Sequence, residues 1–503
     1  MTIQTKTQNK IEQTAETTTA KQSTETTTSL PFYSFPSVST FIYVTDKEKD
    51  VEIGETPLKL DYSESYSDET YDELNASFPL FFENINTICI PKKVKMHLER
   101  IVPKKLLKDI DGNMDVAVER CLVFVSNLSS TIYSDDRWKE LSSIILDEQT
   151  RKGKDNTRIY PKIIKVLKYS TNTTEGIIQV KTNEFGNETY QERIACKSYS
   201  FTDTYYKGDL VQYIIKDKEI LQKRNKVFYS QLKKAIDNPI ANNLINLYSK
   251  IELPSYDDIL FEAKKLIKDK YKNKKGRTLT FLNRHPKSYY KDASARSFVE
   301  ENIKLFNYLT ERGFMIPIIG NEKSGGRVVD SFTLMPSWIR RLVKIDGESI
   351  VEVDFKALHP NIAMSLYGGS KKYLTHKLVA EESNIDLLDV KIEHLSFFNK
   401  TVRDMKVSKL YDYYQSSEPL MLKKVEEEKW NSDKKHKITS MRMFAKEVEI
   451  MTECIRQLNS KGIYVGYVYD ALFCKRSDAE VVKQIMDKVA LEFNVFTTVS
   501  INY

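Results

Sequence analysis

The segment at residues 349–369, SIVEVDFKALHPNIAMSLYGG, constrains the fold of this chain more than any other. It opens with the β-branched residues typical of a buried strand, and that run ends on Asp354. A helix is predicted next, with Pro360 near its first turn, where a missing N–H costs no hydrogen bond. The pattern therefore predicts a carboxylate at the carboxyl end of a strand, directly before a helix.

A second strand-like segment lies at residues 464–473, where aromatic and β-branched residues surround a single charge, Asp470. A carboxylate buried in such a strand is costly unless it has a cationic partner or a metal ion. Two such acids on two buried strands indicate a site for divalent cations. For Asp354 taken alone, a helix N-cap is the alternative interpretation.

Composition indicates a globular chain, because 41% of its 503 residues are hydrophobic and 29% are charged. No apolar run is long enough for a membrane span and no apolar signal core is present, so we expect a cytoplasmic protein without a membrane partner. The five cysteines have no C-x-x-C spacing, which argues against a zinc site or a disulfide framework. A bound metal would therefore have oxygen ligands, which favours Mg²⁺ or Mn²⁺.

The sequence predicts four regions. Residues 1–75 are polar and acidic and are expected to be a disordered tail and linker. Residues 76–206 are expected to form a small α+β domain, with helical spacing at 138–146 and 158–168 followed by a hairpin. That order is typical of a winged helix, although other small α+β domains share it. The domain is similar to DNA-binding modules of plasmid and phage replication proteins, which would make DNA and replication-machinery proteins its partners.

Residues 207–312 are predicted to be mostly helical, with main helices at 221–251, 256–271 and 298–310. Gly313 would end the last of these in a left-handed conformation. Residues 313–503 alternate helices and strands around the two acids. The predicted fold class is therefore α+β.

Two short motifs carry a resemblance to known polymerases. VDFKALHPNIAMSLYG resembles motif A of template-dependent polymerases, and YVYDALF resembles motif C of the family A DNA polymerases and their phage relatives. The Gly-Gly-Arg run that ends at Arg327, and the helical segment 386–400, are similar in position to family segments. Two positions depart from the family pattern, because Leu387 replaces an Arg and Ala471 replaces an acid after Asp470.

The resemblance implies a palm-like sheet with helical thumb and fingers regions. Residues 207–312 would be the thumb-like region, and residues 313–503 would be the palm and fingers. Asp354 and Asp470 would be the catalytic acids and would bind two Mg²⁺ or Mn²⁺ ions during transfer of a nucleotide to a 3′-hydroxyl. His359 would close over the 2′ position of the sugar and select deoxynucleotides, unless it caps the helix that follows.

The same resemblance assigns residues to the other substrates. Lys391 would contact the triphosphate of an incoming deoxynucleotide, with Phe398 stacking on its base and Arg403 as a competing cation. Primer-template DNA would contact Arg327, with a surface cation in a hairpin turn as the alternative. Arg340 and Arg341 would contact the template backbone or cover acidic surface. The lysine-rich segment 264–277 is interpreted as a phosphate-binding strip or as a solvated helix face, and its candidates are Lys274, Lys275 and Arg277.

The predicted function is a template-dependent DNA polymerase of a phage or plasmid. No part of the first 300 residues resembles a proofreading exonuclease, so proofreading is not expected. Two alternatives remain open. One is a replication initiator or other DNA-binding protein whose palm-like part is not catalytic, and the other is an enzyme like the single-subunit RNA polymerases.

Overall fold

The structure, a computed structural model, describes residues 86–133, 136–151, 153, 158–188, 196–206, 208–273, 275–282, 294–311 and 313–502. The tail and linker predicted at 1–75 lie outside these residues. The chain is a mixed α+β protein, as predicted. Its buried apolar residues form two clusters, the first between Ile88 and Ile220 and the second between Phe228 and Val499. Within the described residues, no helix is both long enough and apolar enough to cross a membrane.

The first unit contains two small sheets and six helices among its described residues. Strands β1 and β5 pair with each other, and β2, β4 and β3 form an antiparallel sheet with β4 in the centre. The elements in chain order are β1 (Thr87–Pro91), α1 (Val94–Arg100), α2 (Lys104–Lys108), α3 (Met114–Ser126), β2 (Lys139–Leu141), α4 (Ser143–Thr150), α5 (Tyr160–Leu167), β3 (Ile178–Val180), β4 (Lys197–Phe201), α6 (Asp203–Tyr206) and β5 (Leu210–Ile214).

The helix predicted at 158–168 is present as α5, but the one predicted at 138–146 is wrong in its first half. Lys139, Glu140 and Leu141 form β2, and α4 begins only at Ser143. The physical reason is tertiary, since these three residues pair with β4 across the sheet. Backbone pairing with a distant strand outweighs a local helical spacing of apolar side chains.

The second unit begins at α7 and contains a six-stranded sheet, two further strand pairs and many helices. Its helices are α7 (Lys218–Asp237), α8 (Pro239–Tyr248), α9 (Tyr256–Lys268), α10 (Val299–Thr310), α11 (Ser331–Leu334), α12 (Ser337–Arg340), α13 (Leu358–Tyr367), α14 (His376–Ser383), α15 (Leu387–Ser396), α16 (Val402–Lys406), α17 (Tyr411–Ser417), α18 (Pro419–Asn431), α19 (Ile438–Asn459) and α20 (Ala479–Glu492). Its strands are β6 (Ile251–Glu252), β7 (Thr278–Thr280), β8 (Arg296–Phe298), β9 (Ile318–Ile319), β10 (Val328–Val329), β11 (Lys344–Ile345), β12 (Glu348–Phe355), β13 (Gly466–Val468), β14 (Ala471–Lys475) and β15 (Val499–Asn502).

The helical segment predicted at 221–251 consists of two helices, α7 and α8. It breaks between α7 and α8 at Asn238 and Pro239, because proline has no N–H to donate and its ring blocks a continuing helix. Pro239 instead takes the first position of α8, and the Asn238 side chain accepts a hydrogen bond from the backbone N–H of Ala241. The left-handed conformation predicted for Gly313 is confirmed, with φ of 93°.

The strand predicted before Asp354 is confirmed as β12, the centre of the six-stranded sheet. It pairs antiparallel with β14 on one side and with β15 and β11 on the other, and Val353 within it is fully buried. The strand predicted at 464–473 is instead a hairpin, in which β13 and β14 are joined by a two-residue turn, Tyr469 and Asp470. Tyr469 has a φ of 59°, a left-handed conformation that a continuous strand does not allow. Asp470 therefore lies in a turn at the end of the sheet.

A buried lysine joins three segments of the helical region beside the sheet. The Lys429 ammonium group on α18 donates to the carbonyl oxygens of Phe398 (2.7 Å), Lys400 (2.7 Å) and His436 (3.2 Å), and the residue is only 5% exposed. These bonds hold the loop after α15 and the turn before α19 against α18.

We expect Lys429→Met to destabilise the fold by about 2–4 kcal/mol, because it keeps the volume of the side chain but leaves buried carbonyl groups without a donor. Urea denaturation would measure the loss. Lys423→Met on the same helix is the matched control, since its side chain is 73% exposed and pairs with Glu427 at 3.7 Å. The control should change the free energy of unfolding by less than about 0.5 kcal/mol. Equal effects of the two substitutions would contradict the prediction.

Candidate active site

The two predicted catalytic acids lie at the same end of the six-stranded sheet, Asp354 in β12 and Asp470 in the turn that leads into the adjacent strand β14. Asp354 in β12 is directly opposite Ala471 in β14, and Asp470 is the residue that precedes Ala471. The backbone N–H of Phe355 donates to the carbonyl oxygen of Asp470 at 3.4 Å. Since hydrogen-bonded strands lie about 4.8 Å apart, the structure brings together two acids that are far apart in the sequence.

Both acids keep part of their surface exposed. Burial, and after it the negative charge of Glu447, raises the pKa of Asp470 above its usual value, while His359 and Arg327 act in the opposite direction. A raised carboxyl pKa means that the surroundings do not fully compensate the ionised form. Asp470 is therefore an acid that an added cation would stabilise.

Glu447 on α19 is the residue that sequence reasoning missed. Its side chain is fully buried and accepts hydrogen bonds from Arg327 Nε (2.7 Å), from Arg327 Nη2 (2.6 Å) and from His359 Nε2 (2.7 Å). Burial alone would raise the pKa of Glu447, but the hydrogen bonds from His359 and Arg327 outweigh it and lower the pKa. Glu447 is thus held as an anion beside Asp470.

A sequence signal for Glu447 does exist. On α19, Glu447 shares its spacing with Met451, Cys454 and Leu458, all of them buried. An acid in an otherwise apolar helical stripe needs a buried partner, and this pattern could have identified it.

Arg327 lies between two aromatic rings. Its guanidinium carbon is 3.9 Å from the ring centroid of Phe444 and 4.7 Å from that of Tyr469. Only 17% of its side chain is exposed, so Arg327 is not the surface cation of the alternative interpretation. The Nη1 group takes no part in the bonds to Glu447. Arg327 therefore connects α19 to the turn that carries Asp470.

Gly325, two residues before this arginine, is required by close packing. A Cβ atom added at Gly325 would lie 2.3 Å from the backbone of Phe444 and Ala445, and its φ is 65°. No side chain fits there, so Gly325 lets the loop approach α19 closely enough for Arg327 to reach Glu447.

His359 lies in the first turn of α13 and faces the same cluster. Besides Glu447 it contacts Arg327, with 3.2 Å between His359 Nε2 and Arg327 Nη2, and its ring centroid is 5.4 Å from that of Phe444. Ala357 is the N-cap residue of α13, and its side chain makes no capping hydrogen bond. Neither Asp354, three residues earlier, nor His359, inside the helix, occupies the N-cap position.

The residues predicted for the triphosphate and base have different environments. Lys391 on α15 and Arg403 on α16 are exposed. Phe398 is 1% exposed and packs against Phe397 and Tyr414, with ring centroids 5.1 Å and 5.8 Å away. A ring buried in this way does not face an incoming base, so the structure does not support the stacking role predicted for Phe398.

Of the two neighbouring arginines predicted to bind DNA, one is buried and the other is exposed. Arg340 is buried, and its guanidinium donates to the carbonyl oxygens of Phe332, Thr333 and Met335. The structure does not support the predicted contact of Arg340 with the template backbone, because these hydrogen bonds hold its guanidinium inside the fold. Arg341 is exposed and lies 3.4 Å from Glu352.

Two cations of the lysine-rich segment line a cleft. Lys275 and Arg277 belong to the wall of a cavity of about 1020 Å³, together with Arg296 and Tyr308. Lys274 lies outside the described residues. The wall of the cavity combines cations with aromatic rings, and it also carries the acids Asp209, Glu301 and Glu311.

Two histidines form a neutral pair beside the helix of Lys391. His376 Nδ1 lies 2.9 Å from His394 Nδ1, and His394 Nε2 lies 2.7 Å from the hydroxyl oxygen of Tyr414. Burial, and after it the charge of His376, lowers the pKa of His394 to about 3. An unfolded chain would bind a proton at His394 near pH 6.5, whereas the folded chain would bind it only near pH 3.

We therefore expect acid to destabilise the fold through His394. The depressed pKa gives a stability contribution that is present above pH 6.5 and is lost as the pH falls toward 3. Urea denaturation between pH 7 and 4 should show that the free energy of unfolding falls as the pH falls. In His394→Gln the slope of this free energy against pH should be smaller by up to about 1.4 kcal/mol per pH unit. An unchanged slope in the variant would contradict this prediction.

Comparisons with known proteins add little to this geometry. No protein-family model matches the sequence, and no curated protein matches it. Among solved structures, the chain is similar to the POL domain of Pol1 from M. smegmatis, in complex with a DNA primer-template and dNTP. The TM-score is 0.33 with 9% sequence identity, over 56% of this chain and 72% of that chain. A similarity this weak establishes neither a family nor an activity for this chain.

Proposed function

We propose that this chain is a template-dependent DNA polymerase that joins deoxynucleotides to a 3′-hydroxyl. One observation carries the proposal, namely that Asp354, on a central strand, and Asp470, in the turn before the adjacent strand, lie at the same end of an antiparallel sheet. Nucleotidyl transfer needs divalent cations at the reacting phosphate, and two carboxylates from different strands can hold them. The sequence resemblance to polymerase motifs A and C points to the same two residues.

The donor set fits Mg²⁺ or Mn²⁺. Among the described residues there is no group of three or more His, Cys, Asp or Glu side chains that could hold a metal ion. Magnesium is commonly bound by one or two carboxylates together with substrate phosphates and water, so a pair of acids is sufficient once a nucleotide is present. Asp354 and Asp470 would hold the ions, and a bound cation would offset the burial and the negative charge of Glu447 that raise the pKa of Asp470 and disfavour its ionised form.

The chemistry divides between the ions and the protein. When bound, two divalent cations would lower the pKa of the attacking hydroxyl and stabilise charge on the leaving pyrophosphate. Asp354 and Asp470 would hold the reacting phosphate at the end of the sheet through these ions. Arg327, fixed by Glu447, would offer its Nη1 group to the primer terminus. Lys391 and Arg403 would bind the triphosphate.

Selection of deoxynucleotides is assigned to His359. Its ring follows Asp354 by five residues and is held by Glu447, so it cannot swing freely away from the site. A fixed ring at the 2′ position of the sugar would exclude a hydroxyl group. Lack of proofreading and an origin in a phage or plasmid remain predictions from the sequence.

Incorporation of labelled nucleotides by the full chain tests the proposal. Primed and unprimed DNA and RNA templates would be combined with dNTPs or NTPs, with Mg²⁺ or Mn²⁺, and with EDTA as the control. We expect template-dependent incorporation of dNTPs that EDTA abolishes. Preferential use of NTPs would favour the RNA polymerase-like alternative. No incorporation under any of these conditions, or incorporation without a template, would overturn the proposal.

A further inference from the structure

The first unit has the element order of a helix-turn-helix with an attached β-hairpin. Helix α3 is followed by β2, by the helices α4 and α5, and then by β3 and β4. Strand β4 pairs with both β3 and β2, which joins the hairpin to the strand between the first two helices. The last helix, α5, buries Ile163, Val166 and Leu167, none of them more than 1% exposed. This packing leaves the opposite face of α5 on the surface.

The charges on α5 and its flanks are all positive. Lys162 and Lys165 lie within the helix, Arg158 precedes it and Lys168 follows it; all four are exposed, and residues 158–168 contain no acid. A solvated helix face in a chain with 77 cations and 70 acids would be expected to carry both signs of charge. A helix of one sign has the electrostatic character of a nucleic-acid contact.

The hairpin lies next to this helix and exposes an aromatic ring. Glu188 connects the two, since it lies 2.9 Å from Lys168 at the end of α5 and 2.5 Å from Lys197 in β4. Between the bridged residues Thr182 and Glu188, the chain makes a turn whose Phe185 is 86% exposed. The exposed Phe185 ring lies three residues before Glu188, the residue that pairs with Lys168 at the end of α5.

We propose that α5 and the hairpin at 182–188 form a second nucleic-acid site that binds duplex DNA, with α5 in the major groove and the Phe185 hairpin against the neighbouring groove or backbone. This site is separate from Asp354 and Asp470, and it does not depend on the proposed polymerase activity. The major groove of B-form DNA admits an α-helix, whereas the major groove of A-form RNA is too narrow and deep for one. The four cations complement the phosphates that border the groove.

The geometry also assigns roles within the site. Lys162 and Lys165 lie in the middle of the exposed face of α5 and would contact base edges or phosphates. Lys168 is paired with Glu188 and would position the hairpin. A helix that enters the major groove reads base sequence, so the site should prefer particular DNA sequences over random ones.

Two experiments with the full chain test the proposal. The first selects bound sequences from a random pool of duplex DNA, and the second measures binding of a selected duplex by fluorescence anisotropy. The variants are Lys162→Glu/Lys165→Glu, Phe185→Ala, and Lys461→Glu/Lys488→Glu, which makes the same charge change at exposed positions of the second unit. We expect enrichment of defined sequences by the wild type. The α5 variant should bind the selected duplex at least about tenfold more weakly, with a salt dependence reduced by about two counterions.

Phe185→Ala should weaken binding to a smaller extent, and the control variant should bind like the wild type. Thermal denaturation confirms folding, and Lys162→Arg/Lys165→Arg should retain binding if positive charge is what matters. The proposal is overturned if no sequence is enriched, if the control variant loses as much affinity as the α5 variant, or if duplex RNA of the same sequence binds equally well. Primer extension by the α5 variant should be unchanged, so failure here is distinguishable from failure of the polymerase proposal.

Discussion

Asp470→Asn and Asp354→Asn are each expected to lower nucleotide incorporation by about 10²–10³-fold or more, because in the proposed mechanism each would remove a charge that holds cations at the reacting phosphate. Asn has nearly the shape of Asp, so the turn between β13 and β14 and the pairing of β12 with β14 should persist. Primer extension under single-turnover conditions would measure the loss, and binding of primer-template DNA should be retained.

Although Asp470→Asn should lower incorporation, it should not lower the stability of the fold. Its pKa is raised in the folded chain by burial and by Glu447, so ionised Asp470 costs stability at neutral pH. Asp470→Asn removes that cost, and we expect an equal or higher melting temperature together with lost activity. Mg²⁺ or Mn²⁺ added together with a deoxynucleoside triphosphate should raise the melting temperature of the wild type more than that of this variant, because ligands that bind only the folded state stabilise it.

Glu352→Gln is the matched control for the acid in β12. Glu352 lies two residues before Asp354 on the same strand, opposite Phe473 in β14, and its side chain is 16% exposed beside Arg341. Neutralising it changes the charge of the sheet equally without touching the acid pair. Incorporation by Asp470→Asn at the wild-type rate, or an equal loss in Glu352→Gln, would remove the catalytic assignment.

Glu447→Gln is expected to have the largest effect on stability of any single substitution in the site. Breaking a buried ion pair leaves its partners uncompensated and typically costs about 3–5 kcal/mol. Here Arg327 would lose a bidentate anion and His359 a charged acceptor. Urea denaturation at neutral pH would measure the loss, and incorporation should fall as well, because Arg327 positions the turn that carries Asp470.

The pH dependence of this effect has a definite sign. The pKa of Glu447 is lower in the folded chain than in the unfolded chain, so its ionised form contributes stability above the ordinary glutamate pKa. That contribution is lost as the pH falls through the lowered pKa. The stability difference between the wild type and Glu447→Gln should therefore be full at neutral pH and shrink in acid.

Glu453→Gln on the same helix is the control, since its side chain is 34% exposed and lies 3.8 Å from Arg456. It should change the free energy of unfolding by less than about 0.5 kcal/mol. The loss in free energy of unfolding caused by Arg327→Lys should lie between those of Glu447→Gln and Glu453→Gln, because lysine keeps the charge but cannot make the bidentate contact. If Glu447→Gln were as stable as Glu453→Gln, the buried cluster would not be the structural support of the site.

Local chemistry in the sequence was sufficient to predict several features. The β-branched run before Asp354 forms the central strand of the sheet, and the α+β class is the observed one. The left-handed Gly313 was predictable because glycine has no Cβ to clash in that conformation. Features of this kind depend on side chains within a few residues of one another.

Tertiary contacts decided the rest. Asp470 lies in a turn because Tyr469 adopts a left-handed conformation beside Arg327, which no local pattern of aromatic residues encodes. The sequence predicts Arg340 and Phe398 as binding residues, but both are buried. Exposure depends on what packs over a side chain from elsewhere in the chain. Glu447 gains its role from Arg327 and His359, 120 and 88 residues away in the sequence. Sequence patterns therefore determined the central strand and the two acids proposed for the site, whereas long-range packing determined the charges that surround those acids.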